Sequence, residues 1–277
     1  MRELNVKIIE DAVCSMFIEA NTILPRDIKA RLFECAKSEP EPLAQSILQK
    51  TIQNADIAES TNIPICQDTG MAFVFAKIGQ EIHFTGGNLR DAINNGVRRA
   101  YADGFLRKSV ADPITRKNTN DNTPAIIYFD FADGDSVELT ALPKGFGSEN
   151  MSKIKMMNPT SSEEDIINFV TETVHSAGGN PCPPTVIGVG IGGSFDYAAF
   201  LSKKALTREI GKTDTANAAL EEKILSSLNK TNIGPQGLGG KTTSLWVNIE
   251  TSPTHIASLP VAVNVSCHAT RHITRIL

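Results

Sequence analysis

Three of the five cysteines stand where a thiolate could do chemistry. Cys66 lies in Pro64-Ile65-Cys66-Gln67-Asp68-Thr69-Gly70, and Cys182 in Gly178-Gly179-Asn180-Pro181-Cys182-Pro183-Pro184. Cys267 lies in Val265-Ser266-Cys267-His268-Ala269-Thr270-Arg271-His272. Prolines on both sides of Cys182 exclude a regular helix or a central strand, so this segment reads as a rigid loop that presents its thiol. Cys14 and Cys35 sit instead among apolar residues at helical spacing, where a free cysteine acts as a small hydrophobe. No CxxC pair occurs, and an odd cysteine count does not fit a disulfide framework. A reducing compartment fits better. Structural zinc takes its ligands from local C-x₂₋₄-C pairs, which separations of 116 and 85 residues do not provide. Electron carriers hold a 4Fe–4S cluster with four cysteines. Three cysteines would leave one iron open, a Lewis acid able to bind a substrate hydroxyl and carboxylate. Unrelated buried or surface thiols are the plain alternative.

Two glycine patterns invite a nucleotide reading. Gly188, Gly190 and Gly193 match GxGxxG between a strand and a helix. The dinucleotide fingerprint also needs a second strand ending in an acid about 20 residues on. Glu209 and Asp214 are near that distance, but Thr207 to Lys212 does not read as an apolar strand. Close backbone packing, or a turn near a ligand, is the better reading. Gly239-Gly240-Lys241-Thr242 resembles the end of a P-loop, yet the first glycine of that motif would fall on Pro235, which has no N–H to offer a phosphate. ATP or GTP binding there is rejected, and the segment reads as a Gly-rich loop.

The elements that must position these loops follow from periodicity. Residues 7–56 read as three helices, broken at Pro25 and Pro42. Met71 to Ala76 reads as a strand, and Asn88 caps a helix running to Leu106. Pro124 to Phe131 and Ser136 to Leu142 alternate at period two across Asp133-Gly134, the signature of a hairpin. Ser161 to about His175 is helical, Thr185 to Gly190 a buried strand, and Phe195 to Leu206 and Thr215 to Leu228 helical. Leu245 to Ile249 and Leu259 to Val265 are strands around a Pro-containing turn. The expected class is mixed α/β (α+β). A helical N-terminal layer of about 1–60 precedes an α/β body of about 61–277, as one domain.

Composition narrows the function classes. The 277 residues carry 27 Lys+Arg against 31 Asp+Glu, a net charge of −4. That balance lacks the basic face that nucleic acid requires. No apolar run approaches a membrane span, and the N-terminus has no signal-peptide core. A cytoplasmic location is expected.

Several motifs then fall in order: Ile65 to Gly70, Lys144 to Asn150 (KGFGSEN), Gly179 to Pro184, Gly234 to Gly240 (GPQGLGG) and Ser258 to Asn264. Together, over nearly the whole chain, they resemble the α subunit, or N-terminal half, of class I fumarate hydratase and L-tartrate dehydratase, which are iron–sulfur hydro-lyases. The resemblance implies a 4Fe–4S cluster held by Cys66, Cys182 and Cys267, its fourth iron binding the dicarboxylate. It implies that Gln67 and Asp68 contact the substrate; the plain alternative is an Asx turn capping the Cys66 loop. It places a carboxylate-binding arginine at Arg107, whose planar fork suits the task; the alternative is a helix-end cation. Arg98, Arg99 and Lys108 keep that ordinary role. Gly145, Gly147, Ser148, Glu149 and Asn150 would form a second substrate loop, with Phe146 replacing the middle glycine of the family's usual three. His268 and His272, which flank Arg271, read as donors near the cluster or packing residues in preference to a proton relay, and Asp121 to Pro124 reads as a structural loop near the site. His83, His175 and His255 have no assigned role.

The implied reaction is reversible hydration of fumarate to L-malate, a step of the tricarboxylic acid cycle. L-Tartrate dehydratase is the same-class alternative, and a non-catalytic iron–sulfur sensing or electron-transfer module the different-class one. In the family the general base and further carboxylate-binding residues lie in the β half. The resemblance therefore implies a β subunit, an α2β2-type hetero-oligomer, and no activity from this chain alone.

Overall fold

The computed structural model describes residues 1–212 and 216–277. In chain order the elements are β1 (Arg2–Asn5), α1 (Val6–Thr22), α2 (Arg26–Ser38), α3 (Pro42–Thr61), β2 (Met71–Gly79), β3 (Ile82–Thr85) and α4 (Leu89–Asp103). There follow β4 (Ile126–Ala132), β5 (Val137–Lys144), α5 (Phe146–Glu149), β6 (Lys153–Met157), α6 (Glu163–Ala177), β7 (Thr185–Gly193) and α7 (Phe195–Ala205). The chain closes with α8 (Ala218–Asn229), β8 (Ser244–Thr254), β9 (Leu259–Ser266) and β10 (Ile273–Ile276). The class is mixed α/β, as expected. Local signals start the helices as the sequence suggests. Asn5 and Asn88 cap α1 and α4 through their side-chain oxygens, and Ser162 forms a capping box with Asp165 at α6. The helix expected from Thr215 begins at Ala218; Thr215 itself, like Asp214, lies outside the described residues.

Two compact units divide the chain. The first comprises Met1–Pro25, Ile57–Phe146 and Arg271–Leu277. Its four-stranded sheet has the order β10-β5-β2-β4, and β1 pairs with β3 alongside. Ile9, Val13, Met16 and Phe17 recur on one face of α1 and are buried with Ile93 and Val97 of α4 and Val74 and Leu139 of the sheet. Here the hairpin expectation is corrected. The Asp133-Gly134 turn does join β4 to β5, but β2 runs between them, parallel to β4 and antiparallel to β5. The end of β2 takes the hydrogen bonds that a hairpin would close on itself: Gly79 N–H donates to Ser136 O, Gln80 N–H to Ala132 O and Glu81 N–H to Gly134 O.

The second unit comprises Arg26–Asp56 and Gly147–Thr270. Its sheet has the order β6-β9-β7-β8. The prolyl turn expected after Ile249 lies further on: Pro253 is inside β8, and His255 to Ser258 makes the turn. The GxGxxG glycines serve packing. A Cβ on Gly188 would stand 2.1 Å from Ser202 O, and one on Gly190 would stand 2.1 Å from Ala198 O. Residues 188 and 190 thus let α7 lie directly on β7.

Candidate functional site

In the first unit the Cys66 loop is fastened by its carbonyls. Arg271 Nη2 donates to Asp68 O at 2.6 Å. Tyr101 Oη donates to Thr69 O at 2.6 Å and lies 3.0 Å from Gly70 O. Asn122 Nδ2 donates to Gly70 O at 3.2 Å. Three consecutive carbonyls are therefore held by three side chains from distant segments, all almost fully buried. Burial pushes the Tyr101 phenol well above its ordinary range, so it stays a neutral donor. Gly70, at φ +78°, brings the loop against Lys144, where any Cβ would stand 2.6 Å from the Lys144 amide nitrogen.

The same loop gathers the other expected residues of this unit. Asp68 Oδ1 accepts from Gly70 N at 3.0 Å, the Asx turn anticipated as the alternative, while Oδ2 accepts from Phe146 N at 2.8 Å. Asp68 thus ties the loop to the start of the KGFGSEN turn, with Gly145 leaving room for its carboxylate. Thr69 Oγ1 donates to Arg107 O at 2.9 Å. α4 ends at Asp103, earlier than expected, so Arg107 stands on the following loop. Its side chain is exposed, and among the described residues no carboxylate pairs with it. Cys66 is half-buried, with its sulfur accepting from Asp68 N at 3.4 Å, and Gln67 beside it is exposed.

In the second unit three separate motifs meet around Cys182. Cys182 N donates to Gly179 O, and the residue adopts φ +54° on an exposed turn. Gln236 donates to Pro183 O from both its backbone nitrogen, at 2.8 Å, and its Nε2, at 3.0 Å. His268 N donates to Cys182 O at 3.3 Å. Its Nδ1 lies 2.9 Å from the same oxygen and 3.2 Å from Gln236 Nε2. Gly237 needs its missing side chain, since a Cβ would stand 2.6 Å from Gly179 Cα. Cys267 is half-buried on a turn closed by Thr270, whose N–H and hydroxyl both donate to Cys267 O. Cys14 and Cys35 are buried, and burial raises both thiols.

Two further anchors in this unit carry no local sequence signal. The Glu149 carboxylate pairs with the buried Lys203 ammonium. Asn264 joins them: with its amide oriented to satisfy both neighbours, its nitrogen donates to Glu149 Oε2 at 3.2 Å and its oxygen accepts from Lys203 Nζ at 3.1 Å. Ser148 is buried, and Asn150 is exposed. Glu39, also buried, accepts from Lys241 N at 2.9 Å, Thr242 N at 2.8 Å and the Thr242 hydroxyl. The segment that resembles a P-loop end therefore cradles the protein's own carboxylate. Burial alone would raise Glu39, but the Thr242 hydroxyl and the backbone donors outweigh it and hold the group below its usual range.

Tyr101 and Lys203 carry no local signal because each reaches a segment far away in sequence, whereas Asn122 lies in the Asp121 to Pro124 segment expected as a structural loop near the site. Among the described residues no three His, Cys, Asp or Glu side chains gather as ligands of a single metal ion. No described helix is long and apolar enough to cross a membrane.

Comparison with known proteins gives a consistent result. A family model described as fumarate hydratase (Fumerase) matches residues 10–276. A protein of Methanocaldococcus jannaschii named "Putative L(+)-tartrate dehydratase subunit alpha" is 44% identical over 271 residues, covering 95% of each chain. The L(+)-tartrate dehydratase subunit alpha of Escherichia coli strain UTI89 is 32% identical over 260 residues, covering 92% of this chain and 86% of the relative. Its counterpart in strain K12 is 31% identical over the same length.

Proposed function

The chain belongs to the fumarate hydratase (Fumerase) family, and from that premise we propose that it is the α subunit of an iron–sulfur hydro-lyase acting on a four-carbon dicarboxylate. One observation carries this reading. The Cys66 loop is tied through Thr69 to Arg107 and through Asp68 to Phe146, so a thiol, an exposed guanidinium and the start of the KGFGSEN turn share one framework.

The donor set suits the proposed 4Fe–4S cluster. Cys66, Cys182 and Cys267 all lie outside helices and strands, and none is buried. Soft thiolates are the usual ligands of such clusters. Three irons of such a cluster would each take one thiolate and the fourth none, so the three sulfurs need not converge on one ion. When bound, the cluster would supply a Lewis acid that polarises the C–O bond being made or broken.

The chain's own residues do the rest. Arg107 grips one substrate carboxylate in bidentate fashion. Gln67 offers an amide beside Cys66. Asp68 fixes the loop against the Gly145 turn and, in this reading, contacts the substrate or its bound hydroxyl. Gly145, Gly147, Ser148 and Asn150 supply donors for an anion, with Glu149 anchored by Lys203. Removal of the carbon-bound proton requires a general base, which we assign to a β subunit, with an α2β2-type assembly and a cytoplasmic setting.

The family model supports fumarate and L-malate as the substrate pair. The names of the relatives favour L(+)-tartrate as a second reading. The test is anaerobic co-production with the β subunit, followed by assays of L-malate, L(+)-tartrate and mesaconate. Turnover of L-malate or L(+)-tartrate by the complex, and by neither chain alone, supports the proposal, while turnover of mesaconate alone would move it to a five-carbon substrate. A fully loaded complex inert on all three would overturn it in favour of a sensing or electron-transfer module.

A further inference from the structure

We propose that Asn122 is a positioning residue that couples the Arg107 segment to the Cys66 loop, an inference that rests on the roles given above to Arg107 and Cys66. Asn122 is fully buried. Its Oδ1 accepts from Ser109 N at 2.7 Å and from Val110 N at 3.2 Å. Its Nδ2 donates to Gly70 O at 3.2 Å. One short amide thus spans two segments that lie 39 residues apart in sequence, from Gly70 to Ser109.

The chemistry of the site selects this side chain. Two backbone N–H groups must be met by an acceptor, and one carbonyl must be met by a donor. A primary amide offers both at once, whereas a carboxylate offers only acceptors. The backbone suits it as well. Asn122 has φ +61°, a left-handed conformation that asparagine adopts more readily than most residues. The residue on its N-terminal side is held in turn: Asp121 accepts from Thr123 N and the Thr123 hydroxyl, and pairs with Arg98 at 2.9 Å. The segment from Arg107 to Val110 is therefore held at two points, by Thr69 at the Arg107 carbonyl and by Asn122 at the Ser109 and Val110 amides. Asn118 Nδ2 also donates to Lys108 O at 3.0 Å, from the loop that leads to Asn122, but Asn122 joins this segment directly to Gly70 of the Cys66 loop.

The test uses the α/β complex with Asn122→Gly and Asn122→Asp. Glycine keeps the left-handed backbone and removes both links. Aspartate keeps the acceptor toward Ser109 and Val110 but loses the donor toward Gly70. Two readouts are taken beside thermal unfolding. The first is KM and kcat for whichever substrate the wild-type complex turns over. The second is the rate of Cys66 alkylation relative to Cys267 in the cluster-free complex, followed by mass spectrometry. Asn122→Gly should raise KM by ~10-fold, the scale of a lost buried hydrogen-bond pair, and should change the Cys66-to-Cys267 ratio several-fold. Asn122→Asp should change the ratio with a smaller rise in KM. Should the glycine variant fail to fold, the aspartate variant alone decides. Wild-type KM and an unchanged alkylation ratio in a folded variant, even one with lowered Tm, would overturn the proposal and leave Asn122 a purely structural residue. If the wild-type complex is inert, the proposed function fails on that result, while the alkylation ratio still judges the clamp.

Discussion

Arg107 gains its meaning from where its helix stops. A cation in the last turn of α4 would interact with the helix end, but α4 closes at Asp103 and the arginine stands free on the next loop. Arg107→Lys in the α/β complex should therefore raise KM by about 10- to 100-fold, because lysine keeps the charge and loses the planar fork. Steady-state kinetics check this, and unchanged kinetics would reduce Arg107 to a surface cation. At this scale the thiols were legible in the sequence. The flanking prolines of Cys182 and the apolar periodicity around Cys14 and Cys35 are local signals, and exposure follows them. Asp121 to Pro124 reads as a loop near the site, but the clamp that Asn122 makes there with Arg271 and Tyr101 was not legible. It binds main-chain carbonyls, which leave no trace in residue type, and Tyr101 reads only as one more apolar position on α4.

Elements show the same contrast. Helix starts were legible because caps are local, whereas the pairing of β4 and β5 was misread because a turn signal does not reveal a third strand lying between. The GxGxxG run makes a sharp prediction. Gly190→Ala places a Cβ 2.1 Å from the Ala198 carbonyl, and neither backbone can give way easily, so about 3 kcal/mol of stability should be lost. Gly134→Ala, which meets nothing within 4 Å, should cost about 1 kcal/mol through its left-handed φ alone. Denaturant titration separates the two, and equal losses would contradict the packing role. Glu39 gives a pH signature. Its folded-state pKa is lowered, so the stability it contributes is full above its unfolded value of about 4.3 and fades as pH falls through the folded value. Glu39→Gln should cost about 1–3 kcal/mol near pH 7, and the gap to wild type should narrow below about pH 4. A gap that widens with acid would refute the assignment.

For the whole molecule, the sequence order conceals how the chain is shared out. The first unit takes the opening 25 residues and the closing seven, so that β10 completes a sheet begun some 200 residues earlier. A four-residue strand with little hydrophobic pattern carries no signal of that pairing. Cys66 belongs to the first unit, and Cys182 and Cys267 belong to the second. The claim that all three serve one cluster is thus the central one. It is tested by anaerobic reconstitution of the complex with iron and sulfide, following the visible spectrum and bound iron in single cysteine variants. Alanine at Cys66, Cys182 or Cys267 should each abolish the full cluster, while alanine at Cys14 or Cys35 should leave it intact and cost only packing stability. A complete 4Fe–4S cluster in the Cys182→Ala protein would contradict the account.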